Sequence, residues 1–315
     1  MPTDISLLNY SSKGSIASGS RLQRFMRELL GALTAVSVLL VWAVVGDAQS
    51  LQAPVASTAS AEMRNPSTNN LFAGWEVSLD GRVGVPSGSV QVGEKPVGGT
   101  RLRLRSDLGI DVSEVLEASL AYHITPRDAV RFTYLQYFLN GSSTISRPVN
   151  YNGPVYGPGR FESDLGFYWL NLAYERVLFA FADGASLAGS AGLRYVSLDA
   201  TVHGNHEDFF RQELPVPILG LRFTHPIQQR LWLTADVSGG GLPRVDSGRQ
   251  EGGTVYLQQS HADAGVGLSY ALTPALHVVT GYHFTYFFQH EKSHEDDNRF
   301  ELTDNGFQFG LRVRF

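Results

Sequence analysis

From about Leu71 to the last residue, apolar and polar positions alternate in one segment after another, the period of a strand whose successive side chains face opposite sides. Trp75, Val77, Leu79 and Val83 share one parity, with Glu76, Ser78, Asp80 and Arg82 on the other. The same pattern sets Leu116, Ala118, Leu120 and Tyr122 against Glu117, Ser119 and His123, then Val130, Phe132 and Tyr134 against Arg131 and Thr133. Tyr168, Leu170, Leu172 and Tyr174 oppose Asn171 and Glu175. Further segments run over Leu187 to Val202, Leu219 to Thr224, Leu231 to Ser238, His261 to Tyr270 and Leu276 to Gln289. The last places Phe307, Phe309, Leu311, Val313 and Phe315 opposite Gly306, Gln308, Gly310, Arg312 and Arg314. This predicts about ten strands, with a count of about eight if two segments are misread.

The connections alternate as well. Short links fall at Thr125 to Arg127, Phe181 to Gly184, Pro226 to Gln229 and Leu272 to Pro274. Long ones fall at Pro86 to Asp111, Gly141 to Asp164, Gly204 to Glu213, Leu242 to Thr254 and Glu291 to Arg299. Strands with one wholly apolar face, joined by short turns at one end and long loops at the other, predict an all-β fold: a transmembrane antiparallel up-and-down β-barrel. A secreted soluble β-sandwich is the alternative. The fifth segment breaks the rule: Leu193 and Tyr195 share a parity, but Val196, Leu198 and Val202 take the opposite one. A bulge near Tyr195, or a start above the membrane, is expected there. Arg176 carries the lipid-facing parity and is expected at the interface.

Three regions follow: an N-terminal extension and signal peptide over residues 1–48, a polar linker over 49–70, and the barrel over 71–315. Leu29 to Gly46 is free of charge and follows Arg21, Arg24 and Arg27. Gly46-Asp47-Ala48 offers small residues for cleavage after Ala48, with an uncleaved inner-membrane anchor as the alternative. Met26 just before Arg27 is an alternative start to Met1. The net charge is −5, and residues 1–48 hold four basic and three acidic groups, so a chain from Gln49 carries −6. That argues against nucleic acid as a partner. The chain has no cysteine, which excludes disulfides, thiolate metal sites and lipid attachment through cysteine. Its 33 glycines, 13 tyrosines and 18 phenylalanines suit a barrel rather than a helical membrane protein.

On the inner parity stand the acids Glu76, Asp80, Glu117, Glu175, Asp236 and Asp263 and the arginines Arg82, Arg131, Arg194, Arg222, Arg312 and Arg314. Buried charges persist only when paired, so these predict a salt-bridged lumen with little or no open pore. No ring of one sign, the mark of an ion-selective channel, is evident.

Other side chains were weighed for chemistry. His261 and Asp263 lie two apart on one face, with Asp80 or His283 within reach from other strands; such a pair can serve as base and orienter. No matched serine nucleophile accompanies them, and hydrogen bonding within the lumen is the simpler reading. Two stretches have the spacing of metal ligands: His203, His206, Glu207 and Asp208, and His290, His294, Glu295 and Asp297 (with Glu291 and Asp296 between). Charged, solvated loops are the alternative. The stretch Tyr151 to Arg160, rich in turn formers, is read first as a low-complexity loop, with contact to a surface partner or folding over the barrel mouth as the alternatives.

The closing N-G-F-Q-F-G-L-R-V-R-F resembles the last strand of bacterial outer-membrane barrels, whose terminal Phe, here Phe315, is an assembly signal. Residues 71–315 as a whole resemble small bacterial outer-membrane β-barrel proteins, and Ser106 to Asp111 resembles a stretch seen in uncharacterised members of that group. The resemblance implies the outer membrane of a Gram-negative bacterium, insertion by the barrel-assembly machinery, and outer-membrane lipids and lipopolysaccharide as neighbours. It brings no catalytic residue and no cofactor. The leading expectation is a non-enzymatic barrel, structural or a narrow conduit for an unspecified small solute. The rival is a surface-exposed hydrolase of lipid or peptide.

Overall fold

The computed structural model describes residues 74–202, 205–208, 215–250 and 254–315. The predicted extension, signal peptide and linker, and His203 of the first metal-like stretch, lie outside the described residues; for His206, Glu207 and Asp208 only the backbone is described. Ten long strands form the wall: β1 (Gly74–Gln91), β2 (Ser113–His123), β3 (Asp128–Ile145), β4 (Gly159–Ala180) and β5 (Ser186–Val202), followed by β6 (Val216–Gln228), β7 (Leu231–Gln250), β8 (Thr254–Ala271), β9 (Leu276–Lys292) and β10 (Asp297–Arg314). Each pairs antiparallel with its neighbours in sequence, and β1 pairs β10 from Glu76↔Arg314 to Gln91↔Arg299. The ring is therefore closed, with every edge satisfied, the condition for a sheet to stand in hydrocarbon.

Closure is completed by two backbone bonds, Trp75 N–H to Phe315 O at 2.7 Å and Phe315 N–H to Trp75 O at 2.9 Å. Phe315 is 46% exposed on the outer face, near the tilted Trp75–Tyr122 pair. A Phe315→Asp protein, with a charge in that apolar margin, should reach the outer membrane at a markedly lower level. Surface labelling of intact cells checks this; wild-type levels would remove Phe315 from the assembly role.

The outer parity reads as expected. Val83, Leu120, Phe132, Leu172, Leu219, Leu221, Val266, Phe307 and Phe309 are exposed apolar side chains on the outside of the wall. Arg176 also faces outward at the turn end, where its Nη1 lies 3.3 Å from Asp128 Oδ1. Short turns occupy 124–127, 181–185, 229–230 and 272–275, all at one end, which faces the periplasm in outer-membrane barrels.

The loop end departs from expectation. Most strands run to between 17 and 22 residues, well beyond the roughly ten that a membrane needs, so residues read as loops are strand: Pro86–Gln91, Gly141–Ile145, Gly159–Asp164, Leu242–Gln250 and Asp297–Arg299. The bulge near Tyr195 is absent as well. β4 and β5 pair without a break from Ser163↔Val202 to Val177↔Ala188, and the register shifts only between Val177 and Phe179.

Val196, Leu198, Ala200 and Val202 are instead fully buried on the inner parity of Arg194. What changes along β5 is the chemistry of the lumen, not the face. Tyr137, Leu139, Phe161, Leu165, Phe167, Phe287, Phe300 and Leu302 likewise occupy inner positions of their strands, and together they form one apolar cluster filling the loop half of the lumen.

Loop residues complete this plug. β2 is only 11 residues long, and above it Leu102 and Arg103 pair with β1 at Val90 and Ser89. Leu102, Leu104, Leu108 and Ile110 are fully buried in the cluster. The strut docks on β3 through Gly109 and Gly141. A Cβ on Gly141 would stand 2.4 Å from Leu108 O, and Gly109 has φ +67°.

Candidate functional site

The interior has three storeys. At the turn end Glu76 is the hub. It accepts from Arg314 Nε at 2.8 Å and from Arg131 Nη2 at 3.1 Å, with Arg312 Nε 3.7 Å away. Arg131 also donates to Glu175 at 3.0 Å and to Ser119 at 3.3 Å, and Arg222 from β6 reaches Glu175 at 3.2 Å. Five strands (β10, β1, β3, β4 and β6) are thus tied together by carboxylates that each serve more than one guanidinium. The fork of arginine suits such sharing, because its donors lie in one plane and address two acceptors at once.

Arg82 donates to Glu117 at 3.3 Å between β1 and β2, while Asp80 accepts from Gln308 Nε2 at 3.0 Å rather than from an arginine. Across the lumen, Arg194 from β5 donates to Asp263 on β8 at 2.9 Å and lies 4.1 Å above the Trp169 ring. Thr285 donates to the other oxygen of Asp263 at 3.1 Å. Asp236 lines the same layer of the lumen as Arg194 and Asp263 but is in no ion pair among the described residues. Above this layer lies the apolar plug.

Every predicted lumen residue therefore faces inward, and all but Asp80 and Asp236 are in an ion pair. Parity assigns a side chain to a face but does not name its partner across the barrel. Gln308, Ser119, Thr285 and a further buried acid, Asp304, belong to the same interior. Asp304 accepts from Ser113 Oγ at 2.6 Å. Extending the parity of the closing strand back past Asn305 would have found it.

No hydrogen bond joins His261 to Asp263. Asp263 faces Arg194, not His261. Gln259 Oε1 accepts at 3.3 Å from His261 Nε2, so His261 Nδ1 is the acceptor for Arg194 Nη1, also at 3.3 Å. Both ring nitrogens are occupied, and the ring packs against Phe287 at 4.9 Å beneath the plug. His283 comes within 3.9 Å of Asp263, whereas Asp80 is held by Gln308.

The second stretch with metal-like spacing does not gather around one point. His290 Nε2 meets Asp297 Oδ1 at 2.8 Å across the β9–β10 hairpin and Lys292 Nζ lies 3.7 Å from the other oxygen, while His294 and Glu295 are exposed at its tip. No group of three donors that could hold a metal is found among the described residues. Consecutive positions in a hairpin point to opposite faces, so spacing in sequence overstates proximity in space.

Over the mouth, the Tyr151 loop folds inward, one of the alternatives to a plain low-complexity loop. Tyr151 is fully buried and donates its hydroxyl to Ala200 O at 2.8 Å. Asn150 N–H donates to Thr100 Oγ1 at 2.8 Å, and Asn152 N–H to Val92 O at 3.3 Å, locking this loop to the one after β1.

No protein-family model matches the chain, and no curated protein matches it. Among solved structures, the outer membrane protease OmpT from Escherichia coli is similar at 12% identity, covering 78% of this chain and 100% of that one with a TM-score of 0.48. The translocator domain of the autotransporter NalP from Neisseria meningitidis matches at 14% identity, over 90% of this chain and 98% of that one, with a TM-score of 0.38. The outer membrane protein OprG from Pseudomonas aeruginosa matches at 8% identity, over 78% and 99%, with a TM-score of 0.36. The barrel's own geometry is decisive: a closed antiparallel ring, an apolar exterior, a charged interior, and turns and loops segregated to opposite ends. The chain folds as a transmembrane β-barrel of the kind found in bacterial outer membranes.

Proposed function

We propose that the protein is a sealed, non-enzymatic barrel whose interior stabilises the cylinder rather than conducting solute. The observation that carries this reading is the apolar plug, from Leu102, Leu104 and Leu108 in the loop strut to Phe167, Phe287 and Phe300 on the wall, all buried without solvent exposure. Below it the Arg194–Asp263 bridge and the Glu76–Arg131–Glu175–Arg222 chain cross the remaining section. A hydrated ion would have to shed its water to pass the plug. Phospholipid and lipopolysaccharide cover the outer belt, and the barrel-assembly machinery inserts the chain through its closing strand.

Refolded protein in planar bilayers should show little or no steady conductance. A large, stable conductance of the wild type would overturn the sealed reading. Hydrolysis of lipid A or peptide by the same preparation would replace it with the enzyme.

A further inference from the structure

The interior charges are spread unevenly along the axis of the lumen. At the turn end Arg131, Arg222, Arg312 and Arg314 share only Glu76 and Glu175. Nearer the middle, Arg82 and Arg194 face Asp80, Glu117, Asp236 and Asp263. Positive charge is therefore in excess at the turn end, and negative charge in the middle.

That positive end contains a cavity of about 130 Å³, lined by Arg222, Arg312, Arg314 and, from the β2–β3 turn, Arg127, with the carboxylates Glu76, Glu175 and Asp128 also in its wall. Solvent reaches it, since the side chains of Arg222, Arg312 and Arg314 are 38%, 25% and 26% exposed. Arg312 is the group left over. Its Nε is buried without a hydrogen-bond partner, and Glu76, 3.7 Å away, already accepts from Arg131 and Arg314. A guanidinium with donors to spare, beside further cations and at the margin of a cavity, lacks only an acceptor. Trp232 and His277, with ring centroids 5.3 Å apart, line the cavity as well.

We infer that this vestibule binds a soluble anion carrying a phosphate group, with Arg312 as its principal donor and Arg222 and Arg127 completing the cradle. Two features select phosphate. The guanidinium charges around the vestibule outnumber its carboxylates by more than one, which favours a multiply charged anion, and the forked donors match tetrahedral oxygens. The strand wall separates the vestibule from the bilayer, so the ligand arrives from the periplasm and not as a lipid headgroup.

The test is calorimetric titration of the refolded mature chain in detergent with inorganic phosphate, against sodium chloride of equal ionic strength. The wild type should show saturable phosphate binding that chloride does not reproduce. Arg312→Gln should weaken it by about tenfold or more, the loss of a charge-assisted hydrogen bond. Arg127→Gln should weaken it by a smaller factor. Arg127 sits on an exposed turn outside the ion-pair network, so that variant folds whatever Arg312 contributes to stability. Absence of saturable phosphate binding by the wild type overturns the inference, as does wild-type affinity in every variant that folds.

Discussion

Glu76→Ala should unfold at a much lower urea concentration than the wild type, a loss of about 3–5 kcal/mol, because removing one partner of a buried ion pair strands the other charge. Here the stranded charges come from three arginines. Glu76 is 3% exposed, hydrogen-bonded to Arg131 and Arg314, and 3.7 Å from Arg312. Arg222→Ala is the informative contrast. Arg222 is 38% exposed, and its partner Glu175 retains Arg131, so the loss there should be about 1 kcal/mol or less. Urea titration of protein folded into vesicles, read by the heat-dependent gel shift of closed barrels, measures both. Equal midpoints for Glu76→Ala and the wild type would show that the hub contributes nothing.

The second large effect is expected in the plug. Phe287→Ala should cost about 3–5 kcal/mol, the usual result of truncating a buried phenylalanine and leaving a cavity. Its ring lies 4.6 Å from Phe167, 5.9 Å from Phe300 and 4.9 Å from His261, and no solvent reaches it. Phe284, three residues earlier on β9, faces outward and is 38% exposed. Lipid chains fill the space that Phe284→Ala opens, so its effect should be far smaller. If both substitutions shift the urea midpoint alike, the interior at Phe287 is not packed as described.

The exterior was legible in the sequence almost residue by residue, because lipid demands apolar side chains at every second position and tolerates few exceptions. Leu219, Val266 and Phe307 could be placed outside from parity alone. The interior was legible only as a set. Arg131 and Glu175 sit opposite neighbouring positions on adjacent strands, but Arg194 and Asp263 belong to β5 and β8, which share no register. The plug was hidden for a different reason. A lumen is expected to be polar, so Val196 and Leu198 read as a register error when they were inner residues of a dry storey. The hairpin residues His290 and Asp297 looked like ligands because their spacing was judged along a loop, whereas an extended ladder separates their neighbours onto two faces.

The dry storey also gives the molecule a direction. Ions, antibodies or polymers applied to the cell surface meet loops stitched together by Asn150, Asn152 and Tyr151 over hydrocarbon, and their charge is poorly transmitted through it. The arginine-rich vestibule lies at the opposite end of the lumen from that insulator. On the sealed reading proposed above, the barrel is a socket open to the periplasm, and changes to its surface loops should leave the chemistry at its base untouched.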